Sequence, residues 1–566
     1  MTEESPEADG GEAILEAFRA LEIDYVFSSP GSEWGPFWEA LGRQKLLGSN
    51  GPEFVSCWHE TLAVDLAIGF TLATGRMQAV MLHAGVGLLQ GAVAIQAAQT
   101  QGVPMLVLSG EASTYGERAG FDPGLQWYQN LSVVGGTHRL AEPFTKWAGQ
   151  APGIETLYQS IIRCGEIARR APAGPVYLSV PVETQLSRWR KPPKQASNSS
   201  FVQPCAPSTE IEKVAALLAQ ARLPLMTTEA AGRDRASYDA LLELAETFAV
   251  PVIETPSAIF SNFPKRRTLH QGASMAPLAE EADLVLAVRS RVPWYPPARR
   301  PPGTVVLIDE EPHRSNMVYQ NTQADMLLEG DVAHSLRELT RTAAFAADRD
   351  AIASRRKSLN ARHEARRASS LAAIAQAKHS CPIHPLWLLS VLGEALPPDT
   401  IYVDETVTHI TDVAESLPNE GYGSYLKVRG GLGQGLGHAL GVKLAHRTRT
   451  VACLIGDGAL LYNPIPQCLG FAARAALPIM IIVFNNGEYR SMRLNQAAYF
   501  PDGVGQKHGY FPGALIDGPE YARLGEPFGC AGFNVFSPGE LLPALRNAHL
   551  TTLSGTSTIV DVRLSR

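Results

Sequence analysis

The chain has 566 residues, 45% hydrophobic and 19% charged, which is too long for one core and suggests about three domains in a globular protein that can bury large cores. Its formal net charge of −7, with only short basic clusters such as RRPP and KRR, gives no electrostatic case for binding nucleic acid or an anionic membrane. No apolar run reaches the length of a membrane span, and the acidic start MTEESPEADGGEA is unlike a secretory or mitochondrial signal, so the cytoplasm is the expected location.

In chain order, strand-like apolar runs alternate with amphipathic, helix-like stretches, the pattern of parallel α/β layers. The first block covers residues 1–188 and closes on the strand-like GPVYLSVPVE. The polar stretch KPPKQASNSSFVQPCAPS then reads as a linker. A middle block, 208–343, carries the runs LPLMTTE, VPVIET, ADLVLAVRS and TVVLIDEE. An Ala/Arg-rich stretch, 344–379, is expected to be helical and leads into the last block, 380–566. The seven cysteines are scattered through all of this without a CxxC pair and read as reduced thiols, not metal ligands.

The first and last blocks contain an internal repeat. Residues 79–110, AVMLHAGVGLLQGAVAIQAAQTQGVPMLVLSG, and 451–485, VACLIGDGALLYNPIPQCLGFAARAALPIMIIVFN, both read as strand, small-residue turn, Ala-rich helix, proline and second strand. Two copies of one βαβ unit explain this most economically. Their turns differ: His83-Ala84-Gly85 in one, Gly456-Asp457-Gly458 in the other. A duplicated scaffold with divergent turns suggests two half-sites.

Asp457 is predicted at the carboxyl end of a parallel strand, where open α/β sheets bind ligands, and its flanking glycines allow close approach. The next predicted strand, PIMIIVF, also ends on polar residues, Asn485-Asn486-Gly487-Glu488. A carboxylate and an amide on neighbouring strand ends suit a hard cation such as Mg²⁺ or Ca²⁺ that also holds a phosphate. Either motif alone reads as a turn.

GDG followed after 26 residues by NN resembles the metal–diphosphate motif of thiamine-diphosphate-dependent enzymes. The order of the blocks is similar to that of the superfamily of pyruvate decarboxylase, benzoylformate decarboxylase and acetolactate synthase. The resemblance implies an α/β fold of three domains, each with a central mostly parallel sheet: a pyrimidine-binding domain (1–188), an accessory domain (208–343) and a diphosphate-binding domain (380–566). It implies thiamine diphosphate as cofactor, with Asp457, Asn486 and the main-chain carbonyl of Glu488 as ligands of Mg²⁺ or Ca²⁺, and Gly458 and Ala459 beside the diphosphate.

Further segments match the family in turn. SCWHETLAVDLAIGFTLATGR resembles the helix that opens on the cofactor-activating glutamate, which assigns that role to Glu60. The apolar helix behind it implies burial, which would favour a protonated acid. VRGGLGQGLGHALG resembles the segment that bends the cofactor: Leu432, 25 residues before Asp457, would be the wedge, and the carbonyl of Gly430 would accept from the pyrimidine amine. Thr406 and Thr408 in VDETVTH are candidate diphosphate contacts. VFSSPGS and MLHAG resemble the segments that carry the active-site serine and one histidine of benzoylformate decarboxylase, giving Ser32 and His83 catalytic roles. A histidine in a small-residue turn also reads as a structural group.

The chain also departs from the pattern. The segment AVRSRVPWYPPARR, where benzoylformate decarboxylase has a second histidine, offers Arg291, Trp294 and Tyr295, the aromatics reading either as a pocket lining or as loop packing. The adjacent histidines of pyruvate decarboxylase are absent, and Gln126 lies near the position of the glutamine of acetolactate synthases. The expected function is cleavage, and formation, of a carbon–carbon bond beside a carbonyl by a 2-oxo acid decarboxylase or carboligase. An acetolactate-synthase-like ligase, a lyase, a diketone hydrolase and a flavin in the middle block stay open, as does a cofactor-binding protein without turnover. The resemblance further implies a homodimer or homotetramer, with Glu60 and Asp457 of different subunits serving one cofactor.

Overall fold

The structure is a computed structural model that describes residues 8–111, 133–192, 203–276, 278–291, 293–294, 299–315, 317 and 323–565. Seventeen strands form three parallel sheets among the described residues. Two compact units divide the chain: Met1–Val202 with Arg429–Ala445, and Gln203–Val428 with His446–Arg566.

In the first unit the strands are β1 (Tyr25–Ser29), β2 (Glu53–Ser56), β3 (Gln78–Leu82), β4 (Met105–Glu111), β5 (Trp147–Gln150) and β6 (Pro175–Pro181), in the order β2-β1-β3-β4-β6-β5. Every pairing is parallel. The inner strands β3, β4 and β6 are buried throughout, which is why they read as continuous apolar runs instead of alternating ones. A core of Ile14, Phe18, Trp34, Phe37, Met81 and Leu178 fills one face.

The helix Glu60–Thr74 is almost wholly apolar and buried from Leu62 to Thr71. His59 caps its start by accepting from the Thr61 amide, and Gly75, at φ +73°, ends it. It packs against a second buried helix, Gly435–Ala445, although some 360 residues separate them in sequence. Glycines allow the approach: a Cβ on Gly69 would stand 2.2 Å from the His438 carbonyl oxygen, and one on Gly441 would stand 2.3 Å from that of Leu66. The glycine-rich run is therefore a loop only as far as Gln434, with Gly430, Gly431 and Gly433 all at positive φ. Beyond it, packing overrides the low helix propensity of glycine.

The second unit holds two sheets. The middle one has β7 (Pro224–Thr228), β8 (Val252–Ile253), β9 (Leu284–Val288), β10 (Thr304–Asp309) and β11 (Met326–Glu329), in the order β11-β10-β9-β7-β8. The expected Ala/Arg-rich helix runs from Arg349 to Ala377. Its buried Arg355 donates to the carbonyls of Ala249, Ala221 and Arg222 at 3.1 Å each, satisfying chain ends that follow two other helices. The last sheet has β12 (Ile401–Glu405), β13 (Tyr425–Lys427), β14 (Val451–Gly456), β15 (Met480–Asn485), β16 (Ala531–Val535) and β17 (Thr558–Arg563), in the order β13-β12-β14-β15-β17-β16. Numbered from its own first strand, this is the order of the first sheet. The duplication seen in one βαβ unit thus extends over all six strands. Among the described residues no helix is long and apolar enough to cross a membrane.

Candidate active site

Both six-stranded sheets gather the expected residues at the carboxyl ends of their strands. In the first unit Ser29 of β1 pairs with Leu82 of β3, so the loops that follow emerge side by side. The β1 loop tightens into a helical turn, Ser32–Trp34, and buried Trp34 donates through its indole nitrogen to the Leu82 carbonyl at 2.9 Å. This anchor holds exposed Ser32 and partly buried Glu33 against the His83 turn.

His83 Nδ1 lies 2.8 Å from each carboxylate oxygen of Glu33, and Oε1 of Glu33 also accepts from the Ala84 amide at 2.8 Å. Two glycines make room for this pair. A Cβ on Gly31 would stand 2.0 Å from His83 Nδ1, and one on Gly110 would stand 2.2 Å from the Glu33 Cγ. Glu60 reaches the same place: a Cβ on Gly87 would be 3.0 Å from the His83 Cβ and 3.4 Å from Glu60 Oε1. The hydrogen bond that His83 donates to Glu33 lifts its pKa above the usual histidine value; partial burial opposes the rise, and the Glu60 charge adds to it.

Glu60 is itself only partly buried, although the helix behind it is sealed. Gly430 and Leu432 belong to this unit. Gly430, at φ +108°, runs against Ala97 of the helix Val86–Gln101, and Gln101 of that helix donates to the Arg429 carbonyl at 3.0 Å. Leu432 keeps part of its apolar surface exposed.

In the second unit Asp457 follows β14 directly and is buried. Its Oδ1 accepts from the Gly458 amide at 2.9 Å and its Oδ2 from the Gly487 amide at 2.7 Å, which ties the β14 and β15 loops together. Asn486 Oδ1 accepts from the Glu488 amide at 3.0 Å, while the Glu488 carboxylate pairs with Arg493 at 2.7 Å. That ion pair leaves the main chain of Glu488, and not its side chain, as the candidate ligand. Burial lifts the Asp457 pKa above the usual aspartate range, and the two backbone bonds only partly oppose it. A buried carboxylate beside an amide oxygen is a donor set that a hard cation would stabilise, so the residues present fit a metal and its phosphate. Gly458 and Ala459 are buried in the turn that follows, and a Cβ on Gly458 would strike the Tyr489 ring at 2.4 Å. Among the described residues no cluster of three His, Cys, Asp or Glu side chains is arranged for a metal.

The β12 loop is fixed by a buried ion pair that the sequence did not announce. Lys427 Nζ donates to Asp404 Oδ2 at 2.8 Å and to the Thr406 carbonyl at 2.6 Å, and Tyr425 donates to the same carboxylate at 2.8 Å. Both donors of Thr406, amide and hydroxyl, are directed at Asp404 Oδ1. Thr408, half-buried, has neither of these commitments.

Two expectations concern the middle sheet. Trp294 is buried in a core with Leu225, Ile253, Val285 and Val305, so it packs the domain; Tyr295, like Gln126, lies outside the described residues. For a flavin, the crevice beyond β7, β9 and β10 holds the chain's own ion pairs: Arg291 with Glu229 at 2.9 Å, Arg289 with Asp234 at 2.7 Å and with Glu310, and Arg314 with Asp309 at 2.5 Å.

Glu33 is the functional candidate that sequence reasoning missed. PGSEWG reads as a turn, and the available signal was a charged residue next to Ser32 with a tryptophan behind it.

Comparison with known proteins agrees with this layout. The chain matches the N-terminal TPP binding domain of thiamine pyrophosphate enzymes over residues 8–132, the central domain over 211–339 and the C-terminal TPP binding domain over 407–562. It is similar to benzoylformate decarboxylase of Pseudomonas aeruginosa, 26% identical with 95% of this chain and 96% of that one covered. It is also similar to the large subunit of acetolactate synthase isozyme 2 of Escherichia coli, at 24% with 95% and 92% covered. Its fold is that of the thiamine diphosphate-dependent 4-hydroxybenzoylformate decarboxylase of Rhodococcus jostii RHA1, with a TM-score of 0.78 at 23% identity and 99% of each chain covered.

Proposed function

The chain belongs to the thiamine pyrophosphate enzyme family, and from that premise we propose that it is a 2-oxo acid decarboxylase with carboligase capacity, of the kind named by its benzoylformate decarboxylase relative. The observation that carries this reading is the His83 imidazole, hydrogen-bonded to Glu33 and standing beside Glu60 at the carboxyl end of the first sheet. Thiamine diphosphate, when bound, supplies the electron sink for the carbanion left as the carboxylate departs.

This chain's residues do the rest. Glu60 holds a proton at the cofactor's pyrimidine ring, and Leu432 and the Gly430 carbonyl fix that ring's orientation. Asp457, Asn486 and the main-chain carbonyl of Glu488 hold Mg²⁺ or Ca²⁺, with Thr408, Gly458 and Ala459 around the diphosphate; Thr406 acts through its fixed loop. Ser32, exposed beside the dyad, hydrogen-bonds the substrate. His83 exchanges a proton with the substrate oxygen, a role worth roughly 10²–10⁴ in rate. We place the domains at 1–188, 208–343 and 380–566, and the working unit is a dimer or tetramer in the cytoplasm that shares each cofactor between Glu60 of one subunit and Asp457 of another.

The test is carbon dioxide release, with thiamine diphosphate and Mg²⁺ present, from a series running from pyruvate to benzoylformate and phenylpyruvate, with free aldehyde followed in parallel. Release with stoichiometric aldehyde is expected. Release with a ligated product and no aldehyde assigns the acetolactate-synthase-like alternative. No release despite measured cofactor binding overturns the proposal in favour of a lyase or hydrolase, or of a protein without turnover.

A further inference from the structure

We propose that Glu33 is a positioning residue that holds the His83 ring in one orientation and one tautomer, with the proton on Nδ1 and the Nε2 lone pair left for the substrate. This deepens the proposed function and rests on His83 being the proton-exchanging group.

The geometry is specific. Both Glu33 oxygens lie 2.8 Å from Nδ1, and Oε1 is pinned by the Ala84 amide on the turn that carries the histidine. The carboxylate therefore follows the ring it orients. Its approach is enforced from below by Gly31 and Gly110, where any Cβ would collide with the pair. A carboxylate can only accept, so Nδ1 must donate to it, and a neutral imidazole is then left with Nε2 as its acceptor. The His83 side chain is 25% exposed against 9% for Glu33, so the histidine is the open member of the pair.

The charges around the pair favour a proton on the ring. Glu33 faces His83 from the β1 loop and Glu60 from the helix Glu60–Thr74. Behind Glu33, Glu111 at the end of β4 is buried, and burial raises its pKa, with Glu183 and Glu33 adding to the rise. Glu183 follows β6 and acts on Glu111.

Glu33→Gln separates positioning from simple support. Its amide oxygen can still accept from the Ala84 amide, so the turn is kept, but its NH₂ group can only donate to the ring. Only one oxygen, shared with the Ala84 amide, is then left to accept from Nδ1, and the NH₂ group that replaces the second oxygen favours a bare Nδ1, with the proton on Nε2. The experiment is long-range ¹H–¹⁵N spectroscopy of ¹⁵N-histidine-labelled full-length protein, without cofactor, across pH, with His83→Gln supplying the assignment. The wild type is expected to show the Nδ1–H tautomer. Glu33→Gln is expected to show the Nε2–H tautomer and a titration midpoint about 1 pH unit lower. In parallel, kcat should fall by about 100-fold with little change in KM.

An unchanged tautomer and midpoint in Glu33→Gln would overturn the role of Glu33. A His83→Ala enzyme with wild-type kcat would instead overturn the reading on which it rests. The two failures are read from different proteins.

Discussion

The two six-stranded sheets share a strand order and put different chemistry into equivalent turns. After β3 comes His83, and the carboxylate that steadies it arrives from the neighbouring β1 loop, where Glu33 accepts from the Ala84 amide. After β14 comes Asp457, which supplies the carboxylate itself and reaches out to the β15 loop through the Gly487 amide. Each half thus uses one carboxylate as a clasp between adjacent strand ends. In the first, the clasp holds the histidine proposed to exchange a proton; in the second, it is itself the group proposed to meet a cation. Duplication preserved the frame that points at the ligand, and the turns alone were free to specialise.

Substitution can break that contrast, beginning with the cation side. Asp457→Ala removes the only charged ligand of the candidate metal site and should weaken thiamine diphosphate binding in Mg²⁺ by at least about 100-fold, measured by calorimetry. Glu60→Gln should leave that affinity near wild type and lower kcat by roughly 10²–10⁴. Equal loss of binding in both variants would erase the division of labour. Mixing a Glu60→Ala chain with an Asp457→Ala chain should restore part of the activity after subunit exchange. No recovery from verified hybrids would show that each chain builds its sites alone.

Finer changes sharpen the comparison. Gly110→Ala places a methyl group against Glu33 and should cost about 1–3 kcal/mol in urea unfolding, with a loss of kcat beyond what the lost stability explains. The smallest effect concerns the helix pair. His438 is buried, and burial pushes its pKa down from 6.5 to about 4; the Asp65 carboxylate at 3.6 Å does not reverse this. The folded state thus refuses a proton that the unfolded chain takes up, so stability falls as pH drops from about 6.5 towards about 4. His438→Gln should flatten that part of the stability–pH curve; an unaltered slope would place the acid sensitivity elsewhere.

Much of this architecture was legible because its signals are local. Buried parallel strands appear as apolar runs, and the GDG and NN turns sit at predictable strand ends. What stayed hidden depends on partners remote in sequence. The edge strands β5 and β13, WAGQ and YLK, are too short to register as a repeat, so one βαβ unit was visible and six strands were not. The helix Gly435–Ala445 is poor in local helix signal and exists through its contacts with residues near Glu60. Glu33 went unassigned because its meaning comes from His83, 50 residues away. The Lys427–Asp404 pair was missed for the same reason. Trp294 was ambiguous until its neighbours were known.

The membership of Arg429–Ala445 in the N-terminal unit has a consequence for synthesis. A ribosome that has finished residue 202 has not yet made the helix that covers the apolar flank of Glu60–Thr74. At about 5–20 residues per second, the missing piece follows roughly 10–50 s later. Throughout that interval the nascent chain carries a long greasy helix with its natural cover still unmade. The first unit to emerge is therefore completed only after most of the second has been made.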